Sequence, residues 1–195
     1  MAWLKRVDHV TYAVASGTIE RWAAVHERLG GGQVVARIDD VCPDDRRSSM
    51  KLWCLRFDDF GVALVEGIDR DAESQVSAFV RAHGDHAIQH VAYAVDDLEA
   101  YVRELDALGV KMRGSIVTRH DGFGLVRQVF TKGLAAGDPA EATFLEFVER
   151  PRAESGTVQV GFSRDVGKAF YAQIEEARTA GDHEPFVPIA CGRFK

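Results

Sequence analysis

Two histidines and a glutamate carry the strongest chemical signal in this chain. His9 lies in Val-Asp-His-Val-Thr-Tyr-Ala-Val (residues 7–14), and His90 lies in Ile-Gln-His-Val-Ala-Tyr-Ala-Val (residues 88–95). The shared His-Val-x-Tyr-Ala-Val pattern places the two imidazoles at equivalent positions of a repeat, 81 residues apart. Glu146 interrupts the apolar run Thr-Phe-Leu-Glu-Phe-Val (residues 143–148). A carboxylate among apolar side chains is costly to bury unless it is paired or bound to a metal. Two imidazoles and one carboxylate on three strands match the facial arrangement that holds non-haem Fe(II) and leaves coordination positions open. The same atoms accept Mn, Co, Ni, Zn or Mg, because affinity alone does not choose the metal. A solvent-facing Glu146 is the alternative, since strand alternation does not decide its face.

Glu66 is a second candidate. Ala-Leu-Val-Glu (residues 63–66) matches Thr-Phe-Leu-Glu (residues 143–146) at a shift one residue short of the histidine repeat. Glu66 then reads as a fourth ligand or a base, or as a solvated residue at a strand end before Gly67. His26, His83, His86, His120 and His183 read as helix or loop residues. Asp39-Asp40 and Asp44-Asp45 lack calcium-loop spacing and read as solvated loop charge.

The elements that must position these residues form a duplicated β-α-β-β-β unit. In the first unit, residues 7–14 are a strand rich in β-branched and aromatic residues. A helix follows through Leu29, with Ile19, Trp22, Ala23, Val25 and Leu29 on its apolar face, and Gly30-Gly31-Gly32 stops it. Strands are expected over 33–38, 50–57 and 61–66, and a short helix over 73–83. In the second unit, a strand over 88–95 precedes a helix with Leu98, Tyr101, Val102, Leu105 and Leu108 at helical spacing. Strands near 113–118, 123–131 and 142–148 complete it, with a turn at Asp121-Gly122. Residues 156–162 read as irregular and 168–180 as a final helix. The fold class is therefore α+β: module one over about 5–68, module two over about 86–150, and a closing helix and tail over about 156–195 form one domain spanning 1–195. The two modules cover each other's apolar faces by sharing one curved mixed sheet, with helices outside and the cavity inside.

Composition narrows the partners. The chain has 195 residues, 46% hydrophobic and 28% charged, with a net charge of −6 and no basic run. That argues against nucleic acid. Cys42, Cys54 and Cys191 lack CxxC spacing, which is the pattern of a reducing cytoplasm rather than a disulfide framework. No apolar run reads as a membrane span or a signal peptide.

With these residues in place, the chain resembles the vicinal oxygen chelate superfamily, and within it the C-terminal, metal-bearing half of the 4-hydroxyphenylpyruvate dioxygenases. The matching stretches are Val7-Asp8-His9-Val10, Glu73-Ser74-Gln75-Val76, Ile88-Gln89-His90-Val91, residues 127–132 and residues 143–150, with Gly161-Phe162 and the helix through Glu175-Glu176 resembling that family's closing helix. The resemblance implies Fe(II) held by His9, His90 and Glu146. It implies a 2-oxo acid that chelates the iron and loses CO2 as dioxygen oxidises the remainder. It implies pocket roles for Gln75, Gln89 and Gln128, with Phe130, Phe162 and Phe170 nearby. The chain departs from the family at Leu52, where a serine is usual, at Glu66, near which an asparagine is usual, and near Gly167, where an aromatic residue is usual. The expected activity is thus an Fe(II) dioxygenase with an altered substrate pocket. The alternatives are a glyoxalase-type lyase or isomerase using Glu66, or a non-catalytic small-molecule binding protein. Because the family's other half has no counterpart, a homodimer covering the corresponding face is expected.

Overall fold

The computed structural model describes residues 2–120, 124–150 and 163–186. The chain runs β1 (Arg6–Val14), α1 (Ile19–Gly30), β2 (Gln33–Ile38), β3 (Ser48–Arg56), β4 (Gly61–Asp69), α2 (Gln75–His83), β5 (Ala87–Ala94), α3 (Leu98–Ala107), β6 (Met112–His120), β7 (Leu125–Thr131), β8 (Phe144–Glu149) and α4 (Arg164–Ala180). The strands form one eight-stranded sheet in the order β2-β3-β4-β1-β5-β8-β7-β6. β1 lies parallel to β4, β5 lies parallel to β8, and β1 and β5 run antiparallel at the centre. The two β-α-β-β-β units thus meet along the strands that carry the histidines, and the curved mixed sheet expected from the repeat is present.

Strand alternation divides the core between the two faces. Tyr12, Val14, Trp53, Leu55, Val62 and Leu64 face α1, and Phe147 and Val129 face α3. On the concave face, Ala13, Met50, Leu52, Cys54, Ala63, Val65, Phe130 and Phe144 pack with Phe170, Tyr171 and Ile174 of α4. The final helix therefore covers the sheet's inner surface. Tyr171 fastens it there through its hydroxyl, which hydrogen-bonds with Ser48 Oγ at 2.7 Å and with Ser74 Oγ at 3.2 Å. Gly167 lets it approach closely: a Cβ there would lie 2.9 Å from Leu52 Cδ2 and 3.1 Å from Val41 Cγ1.

Leu29 departs from the helical-face reading. It is 85% exposed, because α1 ends at Gly30 and the chain turns away at Gly31, whose φ of 70° is left-handed. β6 extends to His120, so that histidine lies on a strand rather than in a loop. The irregular reading of 156–162, the Asp121-Gly122 turn, Phe162, Cys191 and the tail beyond 186 lie outside the described residues. Cys42 and Cys54 are buried free thiols. No helix among the described residues is long and apolar enough to cross a membrane.

Candidate metal centre

His9 on β1, His90 on β5 and Glu146 on β8 converge beneath α4. One donor atom from each lies within 4.8 Å of the others, and all three side chains are buried. His9 Nε2 is 3.2 Å and His90 Nε2 3.3 Å from Glu146 Oε2. Donors bound to one metal at about 2.1 Å lie roughly 3 Å apart, so these spacings suit a divalent ion. The remaining glutamate oxygen, Oε1, is buried without a partner. The donor set, its spacing and that orphaned atom all fit a metal.

A bulge sets the orientation of His9. In the pairing of β1 with β5, Val7 lies opposite Tyr93 and His9 opposite Ala92, which leaves Asp8 as the extra residue. A bulge lets neighbouring side chains escape strict alternation. Asp8, fully buried, accepts from His9 Nδ1 at 2.9 Å. Arg150 donates to Asp8 Oδ2 through Nε at 2.8 Å and to Oδ1 through Nη2 at 3.1 Å. A carboxylate behind a metal-binding imidazole fixes its tautomer and ring orientation. Asp8 thus leaves Nε2 of His9 turned toward Glu146. The repeat-equivalent bulge falls at Gln89. There Gln89 Oε1 and His90 Nδ1 are both buried without partners.

The charges are strongly coupled. Burial alone would lower the pKa of His9, but the charge of Glu146 and the bonds from Asp8 and Glu146 raise it to about 9. Burial would raise that of Glu146, but His9 and His90 hold it down at about 2. Asp8 is held well below the usual carboxylate range: burial opposes this, but His9 and Arg150 outweigh it. Burial lowers the pKa of His90, so that ring stays neutral. Without metal the centre is a buried imidazolium–carboxylate pair, and a metal must displace the His9 proton. Apparent metal affinity is therefore expected to fall about tenfold for each pH unit below 9. Competition against a chromophoric chelator between about pH 7 and 8 checks the slope; a flat profile contradicts it.

The cavity beside this centre is lined by Thr11, Leu52, Ala63, Val65, Gln128, Phe130, Val166, Gly167 and Phe170 as well as the three donors. Its volume is about 20 Å³, enough for an ion or a water and too small for an organic acid. Phe170 of α4 forms part of its wall. Gln128 Oε1 and Thr11 Oγ1 face this space without partners. Thr11 escaped the sequence reading, although its place two residues after His9 puts it on the same strand face.

The other candidates lie elsewhere. Gln75 starts α2 and donates from Nε2 to the carbonyl of Tyr171 at 3.2 Å, so it holds α4 rather than lining the cavity. Phe162 is outside the described residues. Glu66 points to the opposite face of the sheet. It is buried, accepts from Lys51 Nζ at 2.6 Å and takes the backbone N–H of Ile19 at 3.0 Å, at the start of α1. Glu149 does the same in the second unit, accepting from Leu98 N at 2.9 Å and from Arg127 Nη1 at 3.2 Å. Register explains the correspondence: Thr11 pairs with Ala63, and Ala92, two residues beyond His90, pairs with Glu146. The repeat mate of Glu146 is therefore Ala63, and that of Glu66 is Glu149. Matching the two Leu-x-Glu or Leu-Glu endings by apolar pattern misplaced the repeat by three residues, an odd shift that exchanges the faces. Glu66→Gln is expected to keep metal binding intact and to cost about 1–3 kcal/mol of stability through the weakened hold on Lys51 and α1. Thermal denaturation with metal analysis tests this, and loss of metal would contradict it.

A duplicated βαβββ sheet curved around a buried His/His/Glu set that could hold a metal defines a paired-module fold. Residues 8–125 match the Glyoxalase/Bleomycin resistance protein/Dioxygenase superfamily, and the chain belongs to that superfamily. The 4-hydroxyphenylpyruvate dioxygenase of Pseudomonas aeruginosa is 25% identical over 138 residues, covering 71% of this chain and 36% of that protein. The structure of a mutant 4-hydroxymandelate synthase from Streptomyces coelicolor matches with a TM-score of 0.73 at 22% identity, over 90% of this chain and 55% of that one. Methylmalonyl-CoA epimerase from Mycobacterium tuberculosis matches with a TM-score of 0.54 at 22% identity, over 77% and 91% of the two chains. The chain thus spans about a third of the first of these proteins and about half of the second.

Proposed function

We propose that this protein is an Fe(II)-dependent dioxygenase acting on a 2-oxo acid or a related small chelating acid. The observation that carries this reading is the three-donor set His9, His90 and Glu146, with Ala63 where the repeat would otherwise supply a fourth donor. Three protein donors leave positions open for a chelating substrate and for dioxygen. Bound there, Fe(II) supplies the redox centre at which such an acid and dioxygen react. His9 is held toward it by Asp8. Gln128 and Thr11 present hydrogen-bonding groups to the same space, and Leu52, Phe130 and Phe170 keep water out of it. Leu52, in place of the family's serine, removes a polar contact and supports a substrate other than 4-hydroxyphenylpyruvate.

Proton transfer of the lyase or isomerase kind needs a carboxylate base beside the metal. Among the described residues that line the cavity, Glu146 is the only carboxylate, and Glu66 lies across the sheet. The dioxygenase reading is therefore preferred, with a homodimer as its proposed assembly. Anaerobic titration of the Fe(II)-loaded protein with 2-oxo acids tests chelation. The expected result is a visible charge-transfer band that His90→Ala lacks. Tight iron with no spectral response to any such acid would overturn the reading.

A further inference from the structure

Arg113 on β6 is 5% exposed, and its Nη1 is buried without a partner. A guanidinium does not escape burial by losing its proton, and a buried charge without an anion is costly. Its other contacts do not neutralise it. Nε reaches the Thr131 carbonyl only at 3.5 Å, and Cζ stands 5.6 Å from the centroid of the Phe144 ring. Asp182 exerts its charge on Arg113, but that carboxylate accepts from Lys132 Nζ at 2.6 Å.

Register places this guanidinium relative to the metal centre. Arg113 lies opposite Phe130, and Phe130 lies opposite Glu146. Residues directly opposite in antiparallel strands share a face, so the three form one row on the concave surface, with Arg113 two strand spacings, roughly 10 Å, from Glu146. Aromatic rings fill the interval. Phe144 stacks on His90 at 4.7 Å, and Phe170 of α4 packs 5.3 Å from His90 and 5.1 Å from Phe130. Gln173, one turn further along α4, lies over Gly114 and also has a buried oxygen without a partner. α4 thus lines the metal cavity and also reaches β6 at the residue next to Arg113.

We propose that Arg113 anchors a second anionic group of the substrate, so that the acid bound at the metal centre is a short dicarboxylic 2-oxo acid. This rests on the reading of the centre as a chelating site for a 2-oxo acid. When α4 lifts, withdrawal of Phe170 joins the metal cavity to Arg113. The head of the acid occupies the metal, its methylene chain lies along Phe130 and Phe144, and its distal carboxylate takes the planar fork of the guanidinium. A carboxylate matches that fork in two parallel hydrogen bonds, and the aromatic walls suit the chain between the two charges.

The test compares acids matched in chain length under conditions where no turnover occurs. Binding of 2-oxoglutarate and 2-oxoadipate to the anaerobic Co(II)-loaded protein is followed by the visible cobalt spectrum, beside 2-oxopentanoate and 2-oxohexanoate. The proposal predicts at least tenfold tighter binding of the diacids. It predicts that Arg113→Met reduces this preference to about threefold or less while monoacid affinity is kept, and that Arg113→Lys retains part of it. Equal affinity of the wild-type protein for diacids and monoacids overturns the proposal, as does a diacid preference that survives in Arg113→Met. If Arg113→Met does not fold, the wild-type preference and the Arg113→Lys variant decide. A diacid preference that depends on Arg113, without oxygen uptake by the Fe(II) form, upholds Arg113 as the anchor and removes the dioxygenase reading instead. Metal binding with no response to any of the four acids overturns the anchor proposal.

Discussion

Glu146→Gln is expected to abolish tight metal binding while leaving a folded protein. The side chain keeps its volume but loses the charge that faces His9 Nε2 at 3.2 Å and His90 Nε2 at 3.3 Å. In the metal-free protein the same change breaks a buried ion pair, so stability falls by about 3 kcal/mol, and the pKa of His9 drops from its raised value of about 9. The contrast is sharpest with metal present. An ion at a hundredfold excess over its Kd raises wild-type stability by about 2.7 kcal/mol. The variant gains nothing. Thermal denaturation with and without Fe(II) or Co(II), together with metal content after gel filtration, reads both effects. Equal metal-induced shifts in Tm for the two proteins would remove Glu146 from the site.

Asp8→Asn carries the second large effect. Asp8 is not one of the three candidate donors; it accepts from His9 Nδ1 and is itself paired with Arg150. Losing such a carboxylate costs about 10–100-fold in metal affinity. The neutral amide also weakens the buried pair with Arg150, whose side chain is 7% exposed, at about 3 kcal/mol. A double-mutant cycle with Arg150→Met separates the two roles: the stability losses couple, whereas the loss of metal affinity follows Asp8. Unchanged metal affinity in Asp8→Asn would contradict the orienting role.

Much of this site was legible from residue types. His9 and His90 announce themselves because the repeat places the same residue in the same apolar strand twice, and Glu146 because its strand is otherwise apolar. The curved paired sheet followed from the need of each module to cover one apolar face. What escaped depends on register and irregularity. Glu66 was matched to Glu146 by local pattern, and only the pairing of Thr11 with Ala63 shows that Glu149 is its true counterpart. Asp8 adjoins His9, and regular alternation would turn it away; the bulge brings it back. Gln75 follows a helix cap and supports α4 through a contact 96 residues away. Arg113 sits in a strand of mixed pattern, and its burial against Phe144 becomes visible only once the strands are placed.

The most direct test of the central claim is oxygen consumption by metal-stripped protein reloaded anaerobically with Fe(II), over a panel of aryl, alkyl and dicarboxylic 2-oxo acids, with His90→Ala as control. The account predicts uptake matched by CO2 release for at least one acid and none in the control. Iron bound stoichiometrically with no uptake on any 2-oxo acid would contradict it.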